Sequence, residues 1–190
     1  LTLDKVNITK SNFSGGVCAV LRGGEIRNCN VKGSITGGTT SHYTYKYIGG
    51  IVALAYHNSN IVKCTNYAKV SSSDGKYSYT AGIVAICQNK NTHVDTCINA
   101  GDVSLAHYTA GIYAYCGTIS ACINYGEITG MAETILIAGI SVTPGGSSNI
   151  TGCVNSGRIS VPGMSASCTV AGISAYSSTA TLKNTGCINA

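Results

Sequence analysis

The apolar residues of this chain fall in short runs bounded by turn residues, with no segment at helical spacing. Gly82-Ile-Val-Ala-Ile86 is a β-branched run, and Gln88-Asn89-Lys90-Asn91 marks a turn. A second run from Val94 to Cys97 leads through Asn99-Ala100-Gly101 to a third from Asp102 to Leu105. The pattern predicts three strands of ~4 to 5 residues each, joined by tight turns.

The unit then repeats. Gly followed by a β-branched residue opens six copies, at Gly16-Val17, Gly50-Ile51, Gly82-Ile83, Gly111-Ile112, Gly139-Ile140 and Gly172-Ile173, spaced 28 to 34 residues apart. A cysteine follows in each copy: Cys29, Cys64, Cys97, Cys122, Cys153 and Cys187. Two positions later stand Asn66, Asn99, Asn124, Asn155 and Asn189, with Val31 the exception in the first copy. A single copy cannot bury its own inward face, whereas stacked copies share a continuous core. The predicted fold is all-β, a parallel β-helix (β-solenoid) of about six three-strand rungs at ~4.8 Å spacing. Residues 15–190 hold the six copies, and residues 1–14 read as an N-terminal strand that caps an otherwise open edge.

Stacking turns repeated positions into columns. Ile51, Ile83, Ile112, Ile140 and Ile173, with Ala53, Ala85, Ala114, Val142 and Ala175 two further on, are expected to line the lumen. Val52, Leu54, Val84, Ile86, Tyr113 and Tyr115 alternate with them and make the other side of that strand apolar too. A strand apolar on both sides needs cover on both, so this face is expected to meet a partner or another domain of a longer chain. Asn66, Asn99, Asn124 and Asn155 are expected to form an amide ladder that fixes the turn. Adjacent rungs also bring the column of cysteines within disulfide reach, and core thiols, cross-rung disulfides and a metal are all weighed for it. No Cys-x-x-Cys pair occurs and the four His lie off the column, so no metal site is expected.

Written as Gly-Ile-x-Ala, a variable stretch, then Ile-x-x-Cys-x-Asn-x-Gly-x-Ile, the unit resembles the GLUG-type repeats of bacterial cell-surface proteins. Ala110-Gly111-Ile112 with Ile119-Ser-Ala-Cys122-Ile-Asn124-Tyr-Gly126-Glu-Ile128 matches it best, and the likeness extends from about Gly15 to the last residue. The resemblance implies a secreted or surface-exposed bacterial scaffold, of which this chain is a fragment. It implies no catalytic residues.

Charge narrows the partners. The formal net charge is +5, and the twelve Lys and Arg are scattered singly, so no basic stripe suits nucleic acid. No apolar run approaches a membrane span, and no nucleotide or cofactor fingerprint is present; no cofactor is expected.

Aromatic residues gather before the repeat glycines: Tyr47, Tyr79 and Tyr108 stand three positions ahead, Tyr45 and Tyr77 two further back, with His42 and His107 beside them. Tyrosines combine flat apolar area with a hydroxyl at low entropic cost, so this variable corner is the candidate contact surface for a surface glycan or a protein ligand. Asp102 and Glu127, five residues after their cysteines, are the carboxylates expected to stack. They carry two readings: an ion-pair ladder with Lys69 and Arg158, or the acid pair of a polysaccharide-active enzyme. The sequence favours a non-enzymatic adhesion scaffold, with a structural stalk or self-assembling subunit as the first alternative and the enzyme as the second.

Overall fold

A computed structural model describes residues 1–38, 45–88, 91–114, 117–131, 134–143, 147–163, 168–176 and 181–190. Among these, every regular element is a β-strand and every strand pairing is parallel. The chain is a β-solenoid. The strand that runs up to each repeat cysteine stacks in six layers, represented by Cys18–Arg27, Val52–Val62, His93–Asp95, Gly117–Ser120, Ser147–Thr151 and Thr181–Thr185.

Each turn holds more strands than the three predicted. One complete turn comprises Ile123–Asn124, Ile128–Thr129, Leu136–Ala138, Ser141–Thr143 and Ser147–Thr151. The two additions are the asparagine pair, which reads as a turn in the sequence, and the strand just before the repeat glycine, which lies in the segment of variable length. Thr2–Thr9 pairs in parallel with Asn30–Gly37, and Phe13–Gly15 with Lys46–Gly49, so the N-terminal residues lie against the first turn as a further, partial layer.

The asparagines form a buried amide ladder. Asn66 Nδ2 donates to Asn99 Oδ1 at 2.9 Å, and Asn99 to Asn124, Asn124 to Asn155 and Asn155 to Asn189 follow at 2.8 Å. Each amide also donates within its own turn, to the carbonyls of Ala68, Gly101, Gly126 and Gly157. The repeat glycines press on this ladder from across the turn. A Cβ at Gly50, Gly82, Gly111, Gly139 or Gly172 would collide with the Cγ of Asn66, Asn99, Asn124, Asn155 or Asn189, and at the first four of these also with the glycine carbonyl of the next layer. The glycine of the motif is therefore a space requirement set jointly by the asparagine and by the backbone of the next layer. In the first copy Gly16 meets Val31 instead, and the Asn66 Oδ1 left at the end of the ladder accepts the Ala68 N–H at 3.0 Å.

At the repeat glycine the backbone bulges in the first five layers. The N–H groups of Ile83 and Val84 both donate to Ile112 O at 3.2 and 3.0 Å, and Ile112 and Tyr113 share Ile140 O in the same way. Sharing one carbonyl between consecutive residues interrupts the alternation of faces and bends the chain. This overturns the expected assignment of faces. Ile51, Val52, Ile83, Val84, Ile112 and Tyr113 all enter the main core, while Ala114, Val142 and Ala175 join a second cluster with Ala81, Ala110, Leu136 and Ala138. Leu54 and Ile86 are 3% and 5% exposed, so the face read from Val52, Leu54, Val84, Ile86 and Tyr113 as open to a partner is closed by the chain itself. Tyr115 lies outside the described residues. The Tyr113 ring occupies the place held by Val52 and Val84 in the layers before, and Gly117 makes room for it: a Cβ there would stand 2.9 Å from Tyr113 Oη.

Cys29, Cys64, Cys97, Cys122 and Cys153 are buried free thiols and Cys187 a partly exposed one. The N–H groups of Cys64, Cys97 and Cys122 donate to the next layer's Sγ at 3.4 to 3.5 Å. Burial pushes the Cys122 thiol well up, and its bonds to the thiols of Cys153 and Cys97 push the same way. The residue before each cysteine has positive φ in the layers of Asn28, Lys63, Thr96, Ala121, Gly152 and Gly186, at 50° to 59°.

Asn124→Ala strands the Asn99 donor and the Asn155 acceptor in the interior, and we expect it to lower stability by about 2–4 kcal/mol, read as a fall in urea midpoint at unchanged slope. Ala121→Gly relieves a left-handed backbone that costs an L-residue about 1–2 kcal/mol, partly offset by the greater chain entropy of glycine. It should raise stability by about 0.5–1 kcal/mol in the same titration.

Candidate aromatic contact surface

The strand before the repeat glycine carries an aromatic in four successive layers. Phe13 pairs with Tyr47, Tyr47 with Tyr79 and Tyr79 with Tyr108, and the column continues as Leu136 and Thr169. Ring centroids are 5.2 Å apart for Phe13 and Tyr47, 5.7 Å for Tyr47 and Tyr79, and 4.5 Å for the stacked pair Tyr79 and Tyr108. Phe13 belongs to the ladder although sequence reasoning omitted it. Its signal was present, since it stands three residues before Gly16 as Tyr47 stands before Gly50.

A second row flanks the first. Tyr45 meets Tyr77 edge-on at 6.1 Å, and Tyr77 meets His107 at 5.8 Å. Cross-contacts from Tyr45 to Tyr47 and Tyr79, and from His107 to Tyr108, join the two rows at 6.3 to 6.5 Å. The Tyr77 backbone N–H donates to His107 Nδ1 at 3.2 Å, which requires the ring to carry no proton on that nitrogen.

The rows differ in depth. Tyr79 and Tyr108 pack against the alanine-rich second cluster, and burial, followed by the neighbouring Tyr45, holds the Tyr108 hydroxyl above its ordinary pKa. Tyr45 and Tyr77 are 56% and 45% exposed. The inner row is thus an anchor for the outer, which offers ring faces and hydroxyls to solvent. The structure brings together Tyr45, Tyr47, Tyr77, Tyr79, Tyr108 and His107, while His42 lies outside the described residues.

The acids give a different picture. Asp102 and Glu127 are exposed neighbours, with the Glu127 N–H donating to Asp102 Oδ1 at 3.1 Å and Ser160 Oγ to Glu127 Oε1 at 3.5 Å. Among the described residues the ion pairs are Arg27 with Glu25 and Lys32 with Asp4, so the expected ladder with Lys69 and Arg158 does not close into salt bridges. Among the described residues no three His, Cys, Asp or Glu stand where they could share a metal ion.

Fold and ladders together define a β-solenoid repeat protein. Among solved structures it is similar to a "putative immunoglobulin A1 protease" from Bacteroides ovatus, with a TM-score of 0.64 and 16% identity over 92% of this chain and 58% of that one. The likeness is one of fold, and this chain spans little more than half of that protein's length. No family model matches the chain, and no curated protein matches it in sequence.

The difference in depth predicts a difference in stability. Tyr79→Ala removes a stacked, half-buried ring and should cost about 2 kcal/mol, whereas Tyr77→Ala should stay within about 0.5 kcal/mol of the parent, both read from denaturant midpoints.

Proposed function

We propose that the chain is a non-enzymatic recognition scaffold of a bacterial surface or secreted protein, which holds the aromatic corner as a contact surface for a saccharide. The observation that carries this reading is the two-row arrangement, in which Tyr47, Tyr79 and Tyr108 are half-buried and packed ring against ring while Tyr45 and Tyr77, and Phe13 at the end of the inner row, stay open. Sugars present apolar ring faces edged by hydroxyls, and a rigid amphipathic tyrosine surface complements both. Rigidity matters because a surface ordered in advance loses little entropy on binding. The likeness of the repeat motif to GLUG-type repeats supports surface display. The Bacteroides neighbour supports the scaffold only, because the activity in its name is attributed to a longer chain.

A glycan array with the parent chain and a Tyr45→Ala/Tyr77→Ala variant tests the proposal. We expect binding by the parent and at least a tenfold loss in the variant, with the melting transition of both unchanged. Absence of binding by the parent would reduce the corner to packing and leave a structural stalk.

A further inference from the structure

A separate face of the solenoid carries its own pair of exposed tyrosines. Because the ladder asparagines point inward, the residues before and after them face out. Those before are Thr65, Ile98, Ile123, Val154 and Ile188, half-buried except for Ile188, which is 57% exposed. Those after are Tyr67, Ala100, Tyr125, Ser156 and Ala190, all exposed. None of these ten positions is charged.

The amide ladder keeps this uncharged face evenly spaced and in register. Its steps keep to 2.8–2.9 Å over five layers, and the paired strands are two residues long and in register. Tyr67 and Tyr125, at 52% and 55% exposure, stand two layers apart with Ala100 between them, a separation of about 9.6 Å at about 4.8 Å per layer. An extended β-1,4-linked polysaccharide is a flat ribbon in which alternate sugars show the same face, and each sugar advances the chain by close to one layer. Laid along the solenoid, it would stack alternate rings on Tyr67 and Tyr125 while the ring between them passes over Ala100, beside the stripe of Ile98 and Ile123. A second copy of the chain fits less well, since a stable pairing buries about 800 Å² on each partner and this face offers three large exposed apolar side chains, Tyr67, Tyr125 and Ile188.

We propose that Tyr67 and Tyr125, with the isoleucine stripe beside them, form a flat binding platform for an extended β-1,4-linked polysaccharide. The platform shares no residue with the aromatic corner and stands or falls independently of it.

Co-sedimentation of the whole chain with microcrystalline cellulose and with chitin tests this. The parent should pellet with at least one polymer, and which one identifies the sugar. Tyr67→Ala/Tyr125→Ala should reduce the bound fraction constant at least tenfold, and Ala100→Lys, which sets a charge between the rings without removing either, should weaken it as well. Tyr45→Ala/Tyr77→Ala should pellet like the parent. A parent that stays in the supernatant with both polymers, or an unaltered Tyr67→Ala/Tyr125→Ala variant, overturns the proposal. So does a concentration-dependent dimer in sedimentation velocity that Ala100→Lys abolishes, which would assign the face to self-association.

Discussion

The asparagine ladder sets the terms for everything around it. A buried amide left without partners costs about 1–3 kcal/mol, so each ladder residue must find a neighbour at one fixed height above and below. Those requirements hold successive turns in register and admit only glycine across the turn, where a Cβ would meet the asparagine Cγ. The ladder also keeps the outer positions on either side aligned from layer to layer. The Gly and Asn that recur together in five copies are thus two sides of one contact.

From that glycine the chain turns through a shared carbonyl, and the bulge distributes the apolar residues between two cores. Ile51, Ile83 and Ile112 and the residue after each fill the main core, and Ala81, Ala110, Ala114 and Ala138 form a second one against which Tyr79 and Tyr108 lie. Small side chains at Ala81, Ala110 and Ala114 leave room for large rings above them. The aromatic rows therefore depend on the bulge as much as on their own stacking.

The columns were legible in the sequence because stacking forces one residue type to recur at one position. Asn99, Cys97 and Ile83 announce their places by repetition alone. The facing of residues beside the glycine was not legible, since alternation predicts Val84 and Tyr113 opposite to Ile83 and Ile112, and only the doubled hydrogen bonds to one carbonyl show that they turn the same way. The two further strands of each turn were hidden for another reason. Ile123–Asn124 is too short for any periodicity, and Leu136–Ala138 sits in the stretch whose length varies most. The exchange of Val for Tyr113 with Gly117 opposite is a contact between columns, which no pattern along a single column reveals. For the aromatic corner, position relative to the glycine identified all but Phe13, while the depth of each ring came only from the fold.

The amide ladder also has a direction. In all four steps Nδ2 donates to the layer that follows in sequence and Oδ1 accepts from the layer before, and the first Oδ1 accepts the Ala68 N–H. A chain leaving the ribosome N-terminus first would then always end in a turn that presents a donor to the turn not yet made. Synthesis and templating run the same way, so each new layer is added to an ordered edge and the solenoid can fold vectorially.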